Sequence, residues 1–558
     1  MLRSSRMWFA PMVVGVALLA GTAAAAPPRP TVHWSPCNRD LGSPFECGIV
    51  NVPLDHANPG LATIQIAMVR LPATDPSRRI GSLFVNPGGP GGSGVDFVLG
   101  VGPFLYTDEL RARFDIVGFD PRGVIRSTPL RCFGSDRQWW GAPFAFPMTP
   151  AEEDLWRATD LYLVDACDQR ATRILDHMST ADVARDLDLL RQAVGDDQLT
   201  YAGYSYGTYL GVTYANLFPG KVRAVVVDGV IDPIAWSTGT GDGATIPFTT
   251  RIRSDAGAQS TLDEFFRLCD LGGAACPFAP DSSDRFATMA AFFRAGNRVI
   301  VTLPNGTQRP FFYARLINTA LGAMYDPYSW PGFANVLASI EEAVNGAMAA
   351  PAASDAGAAL QAFWEDVGLV SKRGAPRYQN FVEGFPGVGC ADSDNPTDWR
   401  RWIDVAEEAE ADYGYFGRVW TWASSTCSDW PAQQGSRYTG PFTAATANPV
   451  LVATTRHDPA TRYEGAVAVN ALLPGSRLLT LNGWGHCTFF FSAEADRAVA
   501  DYLVNKTLPP PGATYDPDYV PFQAALRATA AATPASGHAA RRNVTPILVP
   551  DFIRTEAR

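Results

Sequence analysis

The chain has 558 residues, a formal net charge of −11, and a composition that is 47% hydrophobic and 18% charged. The acidic balance excludes nucleic acid as an expected partner, and the apolar fraction is enough for a sizeable core. With nine cysteines but no C-x-x-C pair, and six scattered histidines, neither a metal site nor an organic cofactor is expected.

Arg3 and Arg6 precede an apolar run from Trp8 to Ala20, and Gly21-Thr22-Ala23-Ala24-Ala25-Ala26 follows before Pro27. This three-part pattern reads as a secretory signal peptide over 1–26. A retained membrane anchor is the alternative reading of the same run, and no stable membrane partner is expected after cleavage. Losing the two arginines takes the formal charge from −11 to −13. In an exported chain the cysteines should pair, and joining sequence neighbours gives Cys37–Cys47, Cys132–Cys167, Cys269–Cys276 and Cys390–Cys427, with Cys487 left over.

Taken in order, Ile49, Val52, Ile64, Ile66 and Met68 alternate with smaller or polar residues and predict an opening antiparallel pair. A short buried strand, 81–86, runs into Pro87-Gly88-Gly89-Pro90-Gly91-Gly92-Ser93-Gly94. A loop with so few side chains offers its backbone N–H groups, as an oxyanion hole requires. Gly89, Gly91 and Gly94 also satisfy the dinucleotide-binding spacing G-x-G-x-x-G. Pro90 inside the turn, and an acid (Asp120) that arrives late and in another motif, argue against that use. Asp115 to Asp120 forms the next strand, and Asp120 and Arg122 are expected to brace the loop that follows. Val183, Leu187, Leu190 and Val194 recur at helical spacing, with Ser179 or Thr180 as cap and Gly195 as stop.

That helix feeds Leu199 to Ala202 and then Gly203-Tyr204-Ser205-Tyr206-Gly207. The G-x-S-x-G spacing predicts a sharp strand-to-helix turn with one hydroxyl at its apex, flanked by glycines that allow the two segments to approach. Ala224 to Val227 gives one more strand. The strand–helix alternation indicates a mainly parallel sheet covered on both faces. It breaks from about Pro233 to Pro441, a region of helical patches, aromatic residues and Pro/Gly interruptions, and returns with Val450 to Thr454. The expected division is a core over 27–232 and 442–510, an inserted cap over 233–441, and a low-complexity, extended tail over 511–558.

A serine hydroxyl needs a histidine base and a carboxylate that holds the base in one tautomer. His486 lies in a Gly-rich turn after the last strand and Asp458 just past the strand before it, so Ser205, Asp458 and His486 are the catalytic candidates. His33, His56 and His177 precede the serine, His538 lies in the tail, and His457 adjoins the acid itself. The oxyanion donors would be the N–H of Tyr206 and one from Gly88 or Gly89.

Together, the Asn-Pro-Gly-Gly-Pro-Gly-Gly-Ser-Gly loop, Asp-Pro-Arg-Gly, Gly-Tyr-Ser-Tyr-Gly and the late Asp458 and His486 resemble the secreted actinobacterial tripeptidyl aminopeptidases of the prolyl-aminopeptidase group, the S33 serine peptidases. The likeness runs from about Cys37 to Leu508. It implies an α/β-hydrolase fold with a mostly parallel central sheet, a large helical cap and a TAP-like C-terminal segment. It also implies an exported, extracellular or cell-wall-associated exopeptidase that takes short peptides, tripeptides in particular, from peptide or protein N-termini. Acids in the cap would bind the substrate ammonium, and Glu383 and Asp392 are the residues named for this. Cys487 departs from the family pattern, which has glycine after the histidine. An exported carboxylesterase or lipase with the same triad, and a non-catalytic binding protein on the same fold, are the alternatives.

Overall fold

The computed structural model describes residues 30–37, 43–135, 138–139, 141–349, 356–366, 380–432 and 435–523. The expected signal peptide and the tail beyond 523 lie outside the described residues. The strands are β1 (Ser35–Pro36), β2 (Glu46–Pro53), β3 (Thr63–Leu71), β4 (Gly81–Asn86), β5 (Phe114–Phe119), β6 (Leu199–Tyr204), β7 (Val222–Asp228), β8 (Val299–Thr302), β9 (Gln308–Phe311), β10 (Leu451–His457), β11 (Arg477–Trp484) and β12 (Thr514–Tyr515).

Ten of them form one sheet in the order β1-β2-β3-β5-β4-β6-β7-β10-β11-β12. The pairs from β1 to β5 are antiparallel, and those from β5 through to β12 are parallel. Every residue of β4, β5 and β6 is buried, as continuous strands covered by helices on both faces must be. One face packs Val85, Phe97, Val98, Tyr204, Phe489 and Leu503, and the other packs Phe84, Leu187, Tyr201, Leu210 and Val227. This is the α/β-hydrolase fold expected from the sequence, with its inserted helical region. The helix Thr180–Ala193 starts at Ser179, whose hydroxyl accepts the Asp182 N–H at 3.2 Å, a cap worth about 1 kcal/mol.

The cap has its own core, centred on Phe265, Phe333, Trp330, Ile317 and Trp402. Its membership reaches beyond the expected range at two places, and a hairpin lies within it. Phe144 and Phe146 belong to it, and the helix Pro150–Arg170 joins it through Trp156, whose Nε1–H donates to Ser425 Oγ at 2.8 Å. A two-stranded hairpin, β8 with β9, lies among the cap helices. The first residues of the expected tail are folded: β12 extends the sheet beside β11, Tyr519 stacks on Tyr328 at 4.7 Å, and Phe522 is buried in the cap core. Among the described residues no helix is long and apolar enough to cross a membrane.

The four disulfides join Cys37 to Cys47, Cys132 to Cys167, Cys269 to Cys276 and Cys390 to Cys427, the pairing of neighbours expected from the sequence. Each stabilises such a fold by ~2–4 kcal/mol. Cys487 is buried outside any disulfide, with its thiol 3.4 Å from the Asp228 carbonyl oxygen.

Candidate active site

Ser205 sits between β6 and the helix Tyr206–Leu217 with φ 56° and ψ −127°, a backbone conformation that persists only where its surroundings enforce it. The flanking glycines make this possible. A methyl group on Gly203 would lie 2.2 Å from Gly207 O, and one on Gly207 would lie 2.6 Å from Asn86 O. The Ser205 N–H donates to Asp228 O at 3.0 Å, and the Thr208 N–H and Oγ1 donate to Ser205 O at 2.9 and 2.6 Å. The apex is thereby held from both sides.

Asp458 follows β10 and is buried. Its Oδ1 accepts the N–H groups of Ala460 and Thr461 at 2.9 and 2.8 Å, and its Oδ2 accepts that of Cys487 at 3.0 Å. His486 Nδ1 lies 2.9 Å from Oδ1 and 3.0 Å from Oδ2 of the same carboxylate, with both side chains fully buried. With Nδ1–H on Asp458, Nε2 is the basic nitrogen. Thr461 Oγ1, 3.4 Å from Nδ1, flanks the pair.

Ser205 and His486 converge on one short segment, Asp228-Gly229. Asp228 O receives the Ser205 N–H, and a methyl group on Gly229 would lie 3.3 Å from His486 Cε1. Ser205, Asp458 and His486 thus stand at the C-terminal ends of β6, β10 and β11, the edge at which a parallel sheet opens its ligand crevice. Serine, base and orienting carboxylate in that arrangement can attack a carbonyl and form an acyl intermediate.

The loop after β4 lies against the elbow: a methyl group on Gly88 would come 2.8 Å from Tyr206 N and 2.9 Å from Ser205 Cβ. Of its two expected donors, Gly88 is engaged, because its N–H donates to Asn86 Oδ1 at 2.9 Å. Gly89 is the other expected donor. Asp120 and Arg122 brace the neighbouring turns. Asp120 accepts from Ser93 Oγ at 2.5 Å at the start of the helix Gly94–Val101, while buried Arg122 donates to both Asp186 oxygens at 2.7 Å.

The cap reaches His486 itself and the neighbours of Asp458 and Ser205. The His486 backbone N–H donates to Tyr325 O at 3.1 Å, and the Tyr325 ring stands edge-on to the imidazole at 5.1 Å. From the helix Ser254–Gly272, Ser254 Oγ donates to Ala460 O and Thr261 Oγ1 donates to His457 O at 3.1 Å, bracketing the Asp458 turn. From the helix Phe381–Asp392, Asp392 accepts the Thr180 N–H at 2.8 Å and its Oγ1–H at 2.6 Å, and Thr180 Oγ1 also bonds the hydroxyl of Tyr206.

That last contact removes Asp392 from the ammonium-binding candidates. Its carboxylate is enclosed by Thr180 and by Trp236 Nε1 at 3.5 Å, and burial pushes its pKa up to about 7. Glu383 stands at the other end of the same helix, buried, with the Cys132 N–H at 3.3 Å. The backbone of its neighbour Gly384 packs on the oxyanion loop, 3.0 Å from where a methyl group on Gly91 would sit. Residues the sequence reading did not assign are Asp228, Thr461 and Tyr325. The position of Asp228 at a strand end next to a glycine was the one signal available for them.

The comparisons with known proteins agree with this fold. Residues 81–247 match the family model described as alpha/beta hydrolase fold, and residues 412–515 match the one described as TAP-like protein. Serine protease Hip1 of Mycobacterium tuberculosis is 31% identical over 517 residues, which cover 89% of this chain and 94% of that protein. The tripeptidyl aminopeptidase of Streptomyces lividans is 31% identical over 474 residues, covering 83% of this chain and 82% of the relative. Carboxylesterase B of Mycobacterium tuberculosis is 33% identical over 511 residues, covering 88% and 91%. Fold, family models and relatives 31% identical over most of the chain converge, and the chain belongs to the TAP-like family of α/β-hydrolase serine peptidases.

Proposed function

We propose that this protein is an exported serine exopeptidase that releases short peptides, tripeptides in particular, from substrate N-termini through an acyl-enzyme. Ser205 Oγ attacks the scissile carbonyl, His486 Nε2 takes its proton and later delivers it to the leaving amine, and Asp458 holds the imidazole in place. The N–H groups of Tyr206 and Gly89 receive the oxyanion. Residues 233–441, with the segment around Pro150–Arg170, form the cap that shapes the substrate cleft. Four disulfides support an oxidising compartment, and with the N-terminal pattern they support export by a cleaved signal peptide.

The observation that carries the exopeptidase reading is Glu383, a buried cap carboxylate on a helix packed against the oxyanion loop. An α-ammonium bound there would sit at a fixed remove from Ser205. A carboxylate in a low-dielectric cleft attracts an ammonium far more strongly than one in water does, and an acetylated terminus forfeits that attraction. Acetylating the N-terminus of a tetrapeptide amide should therefore slow its cleavage at least ~100-fold, at 1.4 kcal/mol per factor of ten, and Glu383→Gln should narrow that gap. The relative named carboxylesterase B favours a second reading, ester hydrolysis by the same machinery. Mass spectrometry of free and acetylated peptides, run beside short-chain esters, separates the two. Equal cleavage of both peptides would end the exopeptidase reading and leave the serine hydrolase.

A further inference from the structure

Asp228 closes β7 and is 1% exposed. Its main-chain carbonyl receives the Ser205 N–H at 3.0 Å and the Cys487 thiol at 3.4 Å. Its carboxylate receives the Thr488 N–H at 2.8 Å and the Thr488 hydroxyl at 2.9 Å. One residue is therefore bonded to the nucleophile on one side and to the two residues after the catalytic histidine on the other.

The same carboxylate is a buried anion. Asp458 and His486 are the charged or protonatable groups across from it, and the Cys487 thiol adjoins its main chain. The hydroxyls of Tyr106 and Tyr204, 2.7 Å apart, are also within electrostatic range of it, as they are of Asp496. Burial, opposed by the two Thr488 hydrogen bonds, reinforced by Asp458 and lastly opposed by His486, pushes its pKa up to about 6. Holding Thr488 does not require a charge, since a neutral amide oxygen would accept the same N–H. The group within electrical reach that gains positive charge during turnover is His486.

We propose that Asp228 is a second positioning carboxylate of this site: it fixes the Cys487-Thr488 turn, and so His486, against the elbow, and its charge stabilises the imidazolium formed when Ser205 gives up its proton. This rests on the serine hydrolase reading and is independent of the choice between peptides and esters.

The test is the rate at which a fluorophosphonate probe labels Ser205, followed from pH 4.5 to 9 in the full-length wild type, Asp228→Asn and Thr488→Val. Asp228→Asn keeps the size and the acceptor and removes the charge. Its labelling at pH 7 should fall about tenfold or more, the scale of acid–base assistance. The acid limb of its profile should move down by roughly one pH unit, because a neighbouring anion no longer favours the protonated base. Thr488→Val keeps the charge and loosens the turn, so it should slow labelling severalfold with the limb in place. A folded Asp228→Asn protein with the wild-type limb overturns the proposal, whatever its rate. If that variant does not fold, Thr488→Val labelled at the wild-type rate overturns it. A wild type that is not labelled at Ser205 overturns the serine hydrolase reading itself, and this proposal with it.

Discussion

Gly88→Ala is the sharpest test of how the oxyanion site is built. The new methyl group would lie 2.5 Å from Tyr204 O, 2.8 Å from Tyr206 N and 2.9 Å from Ser205 Cβ. All three are main-chain atoms or the root of the nucleophile, so no flexible side chain can swing aside. Gly88 also has φ +93°, and holding an alanine there costs ~1–3 kcal/mol of backbone strain. The contact is relieved only by moving the loop off the elbow or by displacing Tyr206 N, and either one separates the two halves of the oxyanion site. Losing one donor costs ~10²–10³ in rate, so kcat/KM for an activated ester such as p-nitrophenyl acetate should fall ~100-fold or more. Gly220→Ala serves as the control, since a methyl group there meets nothing within 4 Å. Circular dichroism melts establish that both variants are folded. A folded Gly88→Ala enzyme within threefold of wild type would refute this account of the oxyanion loop.

Asp160 makes stability depend on pH. Burial pushes its pKa from 3.8 to about 7, with Trp399 Nε1–H donating at 3.0 Å. The folded protein keeps a proton that the unfolded chain releases, so this contribution is present below about pH 4 and is lost as pH rises to about 7. At ~1.4 kcal/mol per pH unit the change is up to roughly 4 kcal/mol. Asp160→Asn should melt like wild type at pH 4 and above it at pH 8, and an equal melting temperature at pH 8 counts against the argument. Thiol labelling of the denatured, unreduced protein followed by peptide mapping should find a single thiol, at Cys487, and a thiol at any other position would contradict the disulfide pairing.

The catalytic candidates were legible in the sequence because each lies just past a strand, and strands buried on both faces announce themselves as short apolar runs. Ser205 adds its glycines, and Asp458 and His486 follow in order. What sequence reading missed depends on contacts far apart in the chain. Asp392 looked like a carboxylate awaiting an ammonium group, yet its partner is Thr180, 212 positions away. Gly88 looked equivalent to Gly89 until Asn86 was seen to take its N–H. The segment around Phe144 and Trp156 precedes the elbow in the chain but folds into the cap, since its aromatic residues complete a core whose other members follow much later. The tail looked low in complexity, but Tyr519 and Phe522 are the anchors that keep its first part folded.

The three attachments of the cap around the catalytic candidates carry a consequence for engineering. Tyr325 holds the His486 backbone, Ser254 and Thr261 hold the turn around Asp458, and Asp392 reaches Tyr206 through Thr180. Such a cap cannot be exchanged as a cassette. A chimera carrying a relative's cap without these contacts would lose turnover on every substrate instead of acquiring a new preference. Trimming the enzyme to its sheet and flanking helices would give an inert scaffold for the same reason. Altering selectivity in this architecture therefore means changing cleft-facing side chains one at a time while the anchoring residues stay as they are.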